Sequence, residues 1–181
     1  MKLMKAGLVL LMIISAVLMF ATTVNAQDSA THSATAVMKD AKGNIMGLAT
    51  FTPDVSGLVR VNVVVSGLKP GLHGIHIHNT GICTGPSFTS AGEHYNPLGK
   101  EHGLKNLKGP HAGDLPNLKV GADGKGYMSV TTSLVTLSPG PTTFFTANGT
   151  ALVIHSGPDD QMTNPAGNSG ARIACGVIDK K

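Results

Sequence analysis

Three of the eight histidines in this chain fall within six residues, in the run Gly71-Leu72-His73-Gly74-Ile75-His76-Ile77-His78. The run alternates as a β-strand does, and successive strand side chains point to opposite faces. His76 and His78 therefore share one face, and His73, Ile75 and Ile77 share the other. Two imidazoles on neighbouring same-face positions can reach one ion, and imidazole suits copper, zinc, iron and nickel. Further donors lie downstream: with His94, His102, His111, Asp114 and His155 the count reaches seven. Structural zinc takes four ligands in a tetrahedron, and cupric copper favours nitrogen ligands in a tetragonal arrangement. Seven donors fill two four-ligand sites if one imidazole serves both ions, which spacing alone does not show. His32 stands apart in the polar stretch 27–33 and reads as a solvated residue of a loose arm.

Around these donors the chain reads as short strands separated by turn residues. Residues 34–39 and 44–52 alternate on either side of the turn 40–44. Residues 58–65 form the clearest strand, with Val59, Val61, Val63 and Val65 on one face and Arg60 and Asn62 on the other. After His78 the periodicity stops, and 79–115 is rich in Gly, Pro, Ser and Asn. A loop of that length is uncommon in a compact domain unless it is functional or disordered. This one carries Cys83, His94, His102, His111 and Asp114, so a disulfide and metal ligands are expected to order it. Residues 118–121 and 127–134 read as a hairpin, and Phe144-Phe145 as core candidates within the loop 137–149. An apolar strand at 151–154 ends in His155, 156–170 is irregular, and 172–178 closes the chain as a strand. About eight short strands with turn signals between them indicate an all-β sandwich or barrel in a single domain, 34–181.

Residues 1–26 read as a secretory signal peptide: Lys2 and Lys5, an uncharged apolar run from Leu8 to Phe20, then Val24-Asn25-Ala26 before the cut. The run is short for a membrane span, which takes about 20 residues. The mature chain is expected to begin near Gln27, exported to a periplasm or secreted, with no stable membrane association after signal removal. Without Lys2 and Lys5, the 14 basic residues become 12 against 10 acidic ones. No Lys/Arg cluster with interleaved aromatics is present, which argues against a nucleic-acid partner. Cys83 and Cys175 are the only cysteines and lie 92 positions apart. In an exported chain one disulfide is favoured over two free thiols. Closing so long a loop contributes roughly 4–5 kcal/mol in the chain-entropy description.

Four motifs together resemble the copper/zinc superoxide dismutases, in particular their exported bacterial branch. They are G-L-H-G-I-H-I-H-x-x-G at 71–81, S-A-G-E-H-Y-N-P at 90–97, H-A-G-D-L-P at 111–116 and G-N-S-G-A-R-I-A-C-G at 167–176. The resemblance spans about 34–178 and implies a Greek-key β-sandwich of immunoglobulin-like architecture. It also implies one copper and one zinc ion per chain, with superoxide as substrate. On the matching positions it implies His76, His78, His94 and His155 as copper ligands. It implies His94, His102, His111 and Asp114 as zinc ligands, His94 bridging the two ions. It pairs Cys83 with Cys175. Arg172 becomes the cation that positions the anion, and His94 the proton carrier. Asp159, or its neighbour Asp160, becomes a carboxylate behind His76 and His102. His73 becomes a structural histidine pinning loop backbone. The expected reaction oxidises one superoxide to dioxygen and reduces a second to hydrogen peroxide. A metal carrier could use the same ligands, but it has no need of Arg172. Monomer and homodimer both fit.

One feature departs from the family pattern. Members often carry basic residues before the last strand that steer superoxide inward. Here 156–171 holds Asp159 and Asp160 and no Lys or Arg, and Glu93 precedes the bridging position. Lys100, Lys105 and Lys108 are the candidates for compensation.

Overall fold

The computed structural model describes residues 32–181. The expected signal segment 1–26 and residues 27–31 of the arm lie outside the described residues. The strands are β1 (Ala34–Asp40), β2 (Ile45–Pro53), β3 (Val59–Val65), β4 (Gly71–His73), β5 (Ile75–His78), β6 (Leu118–Val120), β7 (Gly126–Thr132), β8 (Ala151–His155), β9 (Arg172–Val177) and β10 (Asp179–Lys180). One 3₁₀ turn, Thr89–Ala91, accompanies them. The architecture is the expected all-β one, with antiparallel pairing throughout the named strands.

The sheet runs in the order β4-β6-β7-β3-β2-β1-β9-β8-β5. Its first and last members, β4 and β5, are consecutive in the chain and separated by Gly74 alone. The histidine run is thus the seam through which the sheet closes into a barrel. Its first half pairs with β6 (His73 opposite Leu118) and its second half with β8 (His76 opposite Val153). The sequence reads this run as one strand, because alternation is uninterrupted across Gly74. The change of partner comes from Gly74, whose N–H donates to Gly157 O and whose carbonyl accepts from His155 N–H, each at 2.8 Å. A Cβ on Gly74 would stand 2.7 Å from the Ser169 Cβ, so a larger residue would force the seam apart. The neighbours β3/β7 and β1/β9 are the long returns of a Greek-key arrangement.

Alternation sorts the side chains as the sequence predicts. On β3 Val59, Val61, Val63 and Val65 are buried, while Arg60 and Val64 are exposed. They meet Phe51 and Ala49 of β2, Met38 of β1 and Leu118 of β6 in one core. Phe144 from the 137–149 loop is fully buried and packs edge-on against Phe51, centroids 5.0 Å apart. Phe145 packs at its margin. His32 departs from its expected solvated state. It is half-buried, edge-on to Phe145 at 6.5 Å, and Ser33 O accepts from Lys181 N–H, so contacts to Phe145 and Lys181 tie these two residues to the barrel.

Candidate metal centre

The long loop 79–117 is ordered by three kinds of contact. Its two inner segments lie along the free edge of β5: Tyr95 N–H donates to Ile77 O, and Ile77 N–H donates to Gly113 O. A Cβ on Gly113 would stand 2.2 Å from Ile77 O, so only glycine lets the loop backbone come this close. The Cys83–Cys175 disulfide fastens the near end of the loop to β9. Around it Phe88, Ala91, Ala151, Val153 and Cys175 form a second small core. These attachments bring His94, His102, His111 and Asp114 over His76 and His78, with His155 arriving from β8.

His76, His78, His94, His102, His111, Asp114 and His155 are all buried. One donor atom from each of His76, His78, His94 and His155 lies within 4.8 Å of the others. The ring hydrogen bonds fix which nitrogen is free. His78 Nδ1–H donates to Gly92 O at 2.9 Å and His155 Nδ1–H to Gly170 O at 3.1 Å. His76 Nε2–H donates to Asp159 Oδ2 at 2.7 Å. This leaves His76 Nδ1 and the Nε2 atoms of His78, His94 and His155 buried with no hydrogen-bond partner. Buried polar atoms in native proteins are nearly always satisfied, so four orphans facing one another mark a place for a cation. Burial pushes His76 down to about 3 and His155 to about 4, and holds His78 well below its ordinary value, with His94 and Arg172 adding like-charge repulsion. Neutral imidazoles are what a metal ion requires.

A second convergence lies on the other side of His94. The Nδ1 atoms of His94, His102 and His111 stand 3.1, 3.0 and 3.4 Å from one oxygen, Asp114 Oδ1. Ligand atoms 2.0–2.1 Å from a tetrahedral ion are about 3.3 Å apart, so this spacing suits zinc. Asp114 Oδ2 is turned away and accepts from Gly103 N–H and His111 N–H. Mutual donor distance also groups His76 with His94, His102 and Asp114. His76 is a poor member of that set, because its Nε2–H is committed to Asp159 and its free Nδ1 belongs with the first set. His94 alone presents one nitrogen to each side. Burial raises Asp114, but the surrounding imidazoles and amide N–H groups outweigh it and hold the carboxyl well below the usual range. For His102, burial is outweighed by Asp114 and Asp159, which lift it to about 9.

Asp159 joins the two clusters: Oδ2 accepts from His76 and Oδ1 from His102 Nε2–H at 3.0 Å. Asp160 is exposed and instead accepts from Met162 N–H, Thr163 N–H and Asn168 Nδ2, bracing its own turn. The resemblance favours Asp159 over its neighbour Asp160, and in the geometry it is Asp159 that meets both rings, though sequence reading gives no sign of the residues around it. Asn117 donates to Asp159 O and accepts from Asp159 N–H, Gln161 contacts the carboxylate twice, and Asn164 Oδ1 accepts from His102 N–H. Ordinary Asn and Gln in Gly-rich loops carry no local signal of such contacts. A Cβ on Gly167 would fall 1.6 Å from Asp159 Oδ1, which makes that glycine part of the site.

Arg172 is half-buried at the start of β9, and its guanidinium donates to Phe88 O at 2.9 Å. It lies near enough to His78 and His155 to act on their charge, and Glu93 acts on its own. A cleft of about 410 Å³ beside it is also lined by Lys42, Lys69 and Ser156. These lysines are not among those the sequence singles out. Lys100, Lys105 and Lys108 are exposed, and Lys108 pairs with Glu101 at 3.4 Å. His73 is buried on the far side of the seam, with its ring nitrogens 2.7 and 2.8 Å from His155 O and Lys69 O.

In sequence and fold the chain is similar to known proteins. The family model for copper/zinc superoxide dismutase (SODC) matches residues 45–178. "Superoxide dismutase [Cu-Zn] 2" of Aquifex aeolicus is 46% identical over 155 residues, covering 84% of this chain and 88% of that protein. The crystal structure of a SOD-like protein from Bacillus subtilis has a TM-score of 0.76 at 39% identity, covering 79% of this chain and 96% of that one. The Cu/Zn superoxide dismutase from Brucella abortus has a TM-score of 0.67 at 30% identity, covering 81% and 99%. With a family match over residues 45–178 and 46% identity to a relative across 84% of its length, this chain belongs to the copper/zinc superoxide dismutases.

Proposed function

We propose that the chain removes superoxide, converting two superoxide anions and two protons into dioxygen and hydrogen peroxide. The observation that carries this reading is the set of four buried, unpartnered ring nitrogens from His76, His78, His94 and His155, gathered close to Arg172. In this reading His76 Nδ1 and the Nε2 atoms of His78, His94 and His155 hold copper. The Nδ1 atoms of His94, His102 and His111, with Asp114 Oδ1, hold zinc. When bound, copper supplies the one-electron chemistry, and zinc, which has none, supplies charge and rigidity.

The protein's own groups do the rest. Arg172 offers a planar, permanently charged fork of donors to a small anion. Phe88 O holds one arm of that fork, and the disulfide-tied core around Phe88 holds the carbonyl in place. His94 carries the proton: its Nδ1 faces Asp114, and its Nε2, whenever it is not holding copper, would take a proton and pass it to the reduced anion. Burial keeps His94 below the ordinary imidazole value, so a proton taken there is readily released. The second proton comes from water. Asp159 positions His76 and His102 by holding both Nε2–H groups, which fixes each tautomer and raises the basicity of the opposite nitrogen.

The function is assigned to an exported compartment, the periplasm first and secretion as the alternative. The signal-like 1–26 and the Cys83–Cys175 disulfide support this. The test is metal content per chain and superoxide consumption on one sample. About one copper and one zinc with rapid consumption is expected, whereas bound metals without consumption would favour a carrier.

A further inference from the structure

Asp159 has more partners than two imidazoles. Gln161 N–H donates to its Oδ1 at 2.6 Å, and Gln161 Nε2–H donates to its Oδ2 at 2.7 Å, the oxygen that also serves His76. Gln161 is buried and has φ 64, a region that residues with a Cβ rarely enter. Two contacts with the long loop hold it there. Its carbonyl accepts from Lys105 N–H at 3.0 Å, and its Nε2 reaches Leu115 O at 3.2 Å. A Cβ on Gly103 would lie 2.2 Å from that same Gln161 carbonyl. Both partners of Nε2 are acceptors, so the amide has one orientation, nitrogen toward Asp159 and Oε1 turned away without a partner.

We propose that Gln161 is a positioning residue that sets how strongly Asp159 pulls on His76, and ties Asp159 to the segment bearing Asp114. This rests on the assignment of His76, His102 and Asp114 as metal ligands. An oxygen shared by two donors pulls less on each. With the amide gone, His76 Nε2–H is the sole side-chain claimant on Oδ2, its hydrogen bond tightens, and Nδ1 becomes more basic. The link from Asp159 to Leu115 O is lost in the same change, so the carboxylate holds His102 less firmly in place.

The test uses the disulfide-bonded protein with Gln161→Met, which keeps length and volume but cannot donate, and Gln161→Glu, which keeps shape but sets a second carboxylate against Asp159. Asp159→Asn is the reference. The readouts are the His76 ring Nε2–H proton resonance in the zinc-loaded, copper-free protein and zinc affinity by chelator competition. Near-ultraviolet dichroism reports the fold. Gln161→Met should move the resonance downfield and lower zinc affinity about three- to tenfold, one step weaker than the roughly 10–100-fold loss for a direct outer partner. Gln161→Glu should lower zinc affinity further, and it carries the test if the Met variant does not fold. An unchanged resonance and unchanged zinc affinity in a folded variant would overturn the proposal and leave Gln161 a packing residue. If the unmodified protein takes up no zinc, or Asp159→Asn changes neither readout, the ligand assignment itself is what has failed.

Discussion

β3 and the segment 156–171 hold their shape by opposite means. β3 is paired along its whole length on both sides, to β2 and to β7, and buries every second residue. The segment 156–171 has no strand at all. It is closed by turns such as Gly167 N–H to Thr163 O and Asp160 N–H to Gly167 O, and by polar links to residues far away in the chain. Asn117 meets Asp159 from 42 positions away, Leu115 meets Gln161 from 46, and His102 meets Asn164 from 62. A strand that depends on burial tolerates change in proportion to the area lost. A loop that depends on a few directed contacts fails at single atoms. The barrel should therefore survive changes that destroy the site, and the site should survive changes that weaken the barrel.

The largest break is expected at the residue both clusters share. His94→Ala removes Nε2 from one set and Nδ1 from the other. Affinity for both metals should fall by more than the roughly 10–100-fold that loss of an outer partner costs, and superoxide consumption should vanish. Metal analysis after dialysis checks this. Next is Arg172→Gln, which takes away the cation but none of the orphaned nitrogens. Turnover should fall about 10²-fold, the scale for losing one preorganised donor at a developing charge, with both metals retained. A smaller, purely steric break is Gly167→Ala. Its methyl would collide with Asp159 Oδ1, and φ 61 disfavours it further. Zinc and copper affinities should drop roughly 10–100-fold through the displaced carboxylate, which chelator competition checks.

The same contrast explains what could be read from the residues alone. Val59 to Val65 and the Ile75/Ile77 against His76/His78 split are local periodicities, and the strands lie where they predict. Gly74 is invisible to periodicity, because what it does is let two distant strands, β6 and β8, attach to one run. Asn117 and Asn164 are likewise silent in sequence, since their partners lie more than 40 positions away, and Gln161, two residues from Asp159, is oriented by Leu115 O 46 positions away. Asp159 and Asp160 differ only in which way the turn sends them, inward to two imidazoles or outward to three groups of its own turn.

The reverse break belongs to the barrel. Val61 is fully buried among the core residues and opposite Phe51 and Val130. Val61→Ala should cost about 2 kcal/mol, lowering the melting temperature by about 4–8 °C, with metal content and turnover per folded molecule unchanged. Loss of zinc in that variant would mean that the loops lean on the barrel more than their contacts suggest.

A pH titration tests whether the two regions are coupled when the metals are stripped out. Without zinc, His102 sits between Asp114 and Asp159, which lift it to about 9 against an ordinary value of 6.5. A group whose folded value is raised contributes stability that is complete below its unfolded value and is lost as pH rises through the folded one. The chelated protein should therefore melt at a lower temperature at about pH 9 than at about pH 6.5. His76 and His155 cannot produce that alkaline loss. Burial pushes both down, so their contribution is lost on the acid side, as pH falls below 6.5 toward about 4 and 3. In the zinc-loaded protein the alkaline loss should disappear, because a metal-bound nitrogen has no proton to give up. If His102→Gln keeps the full alkaline fall in the chelated protein, the two carboxylates do not act through that ring, and the loop segment melts independently of it.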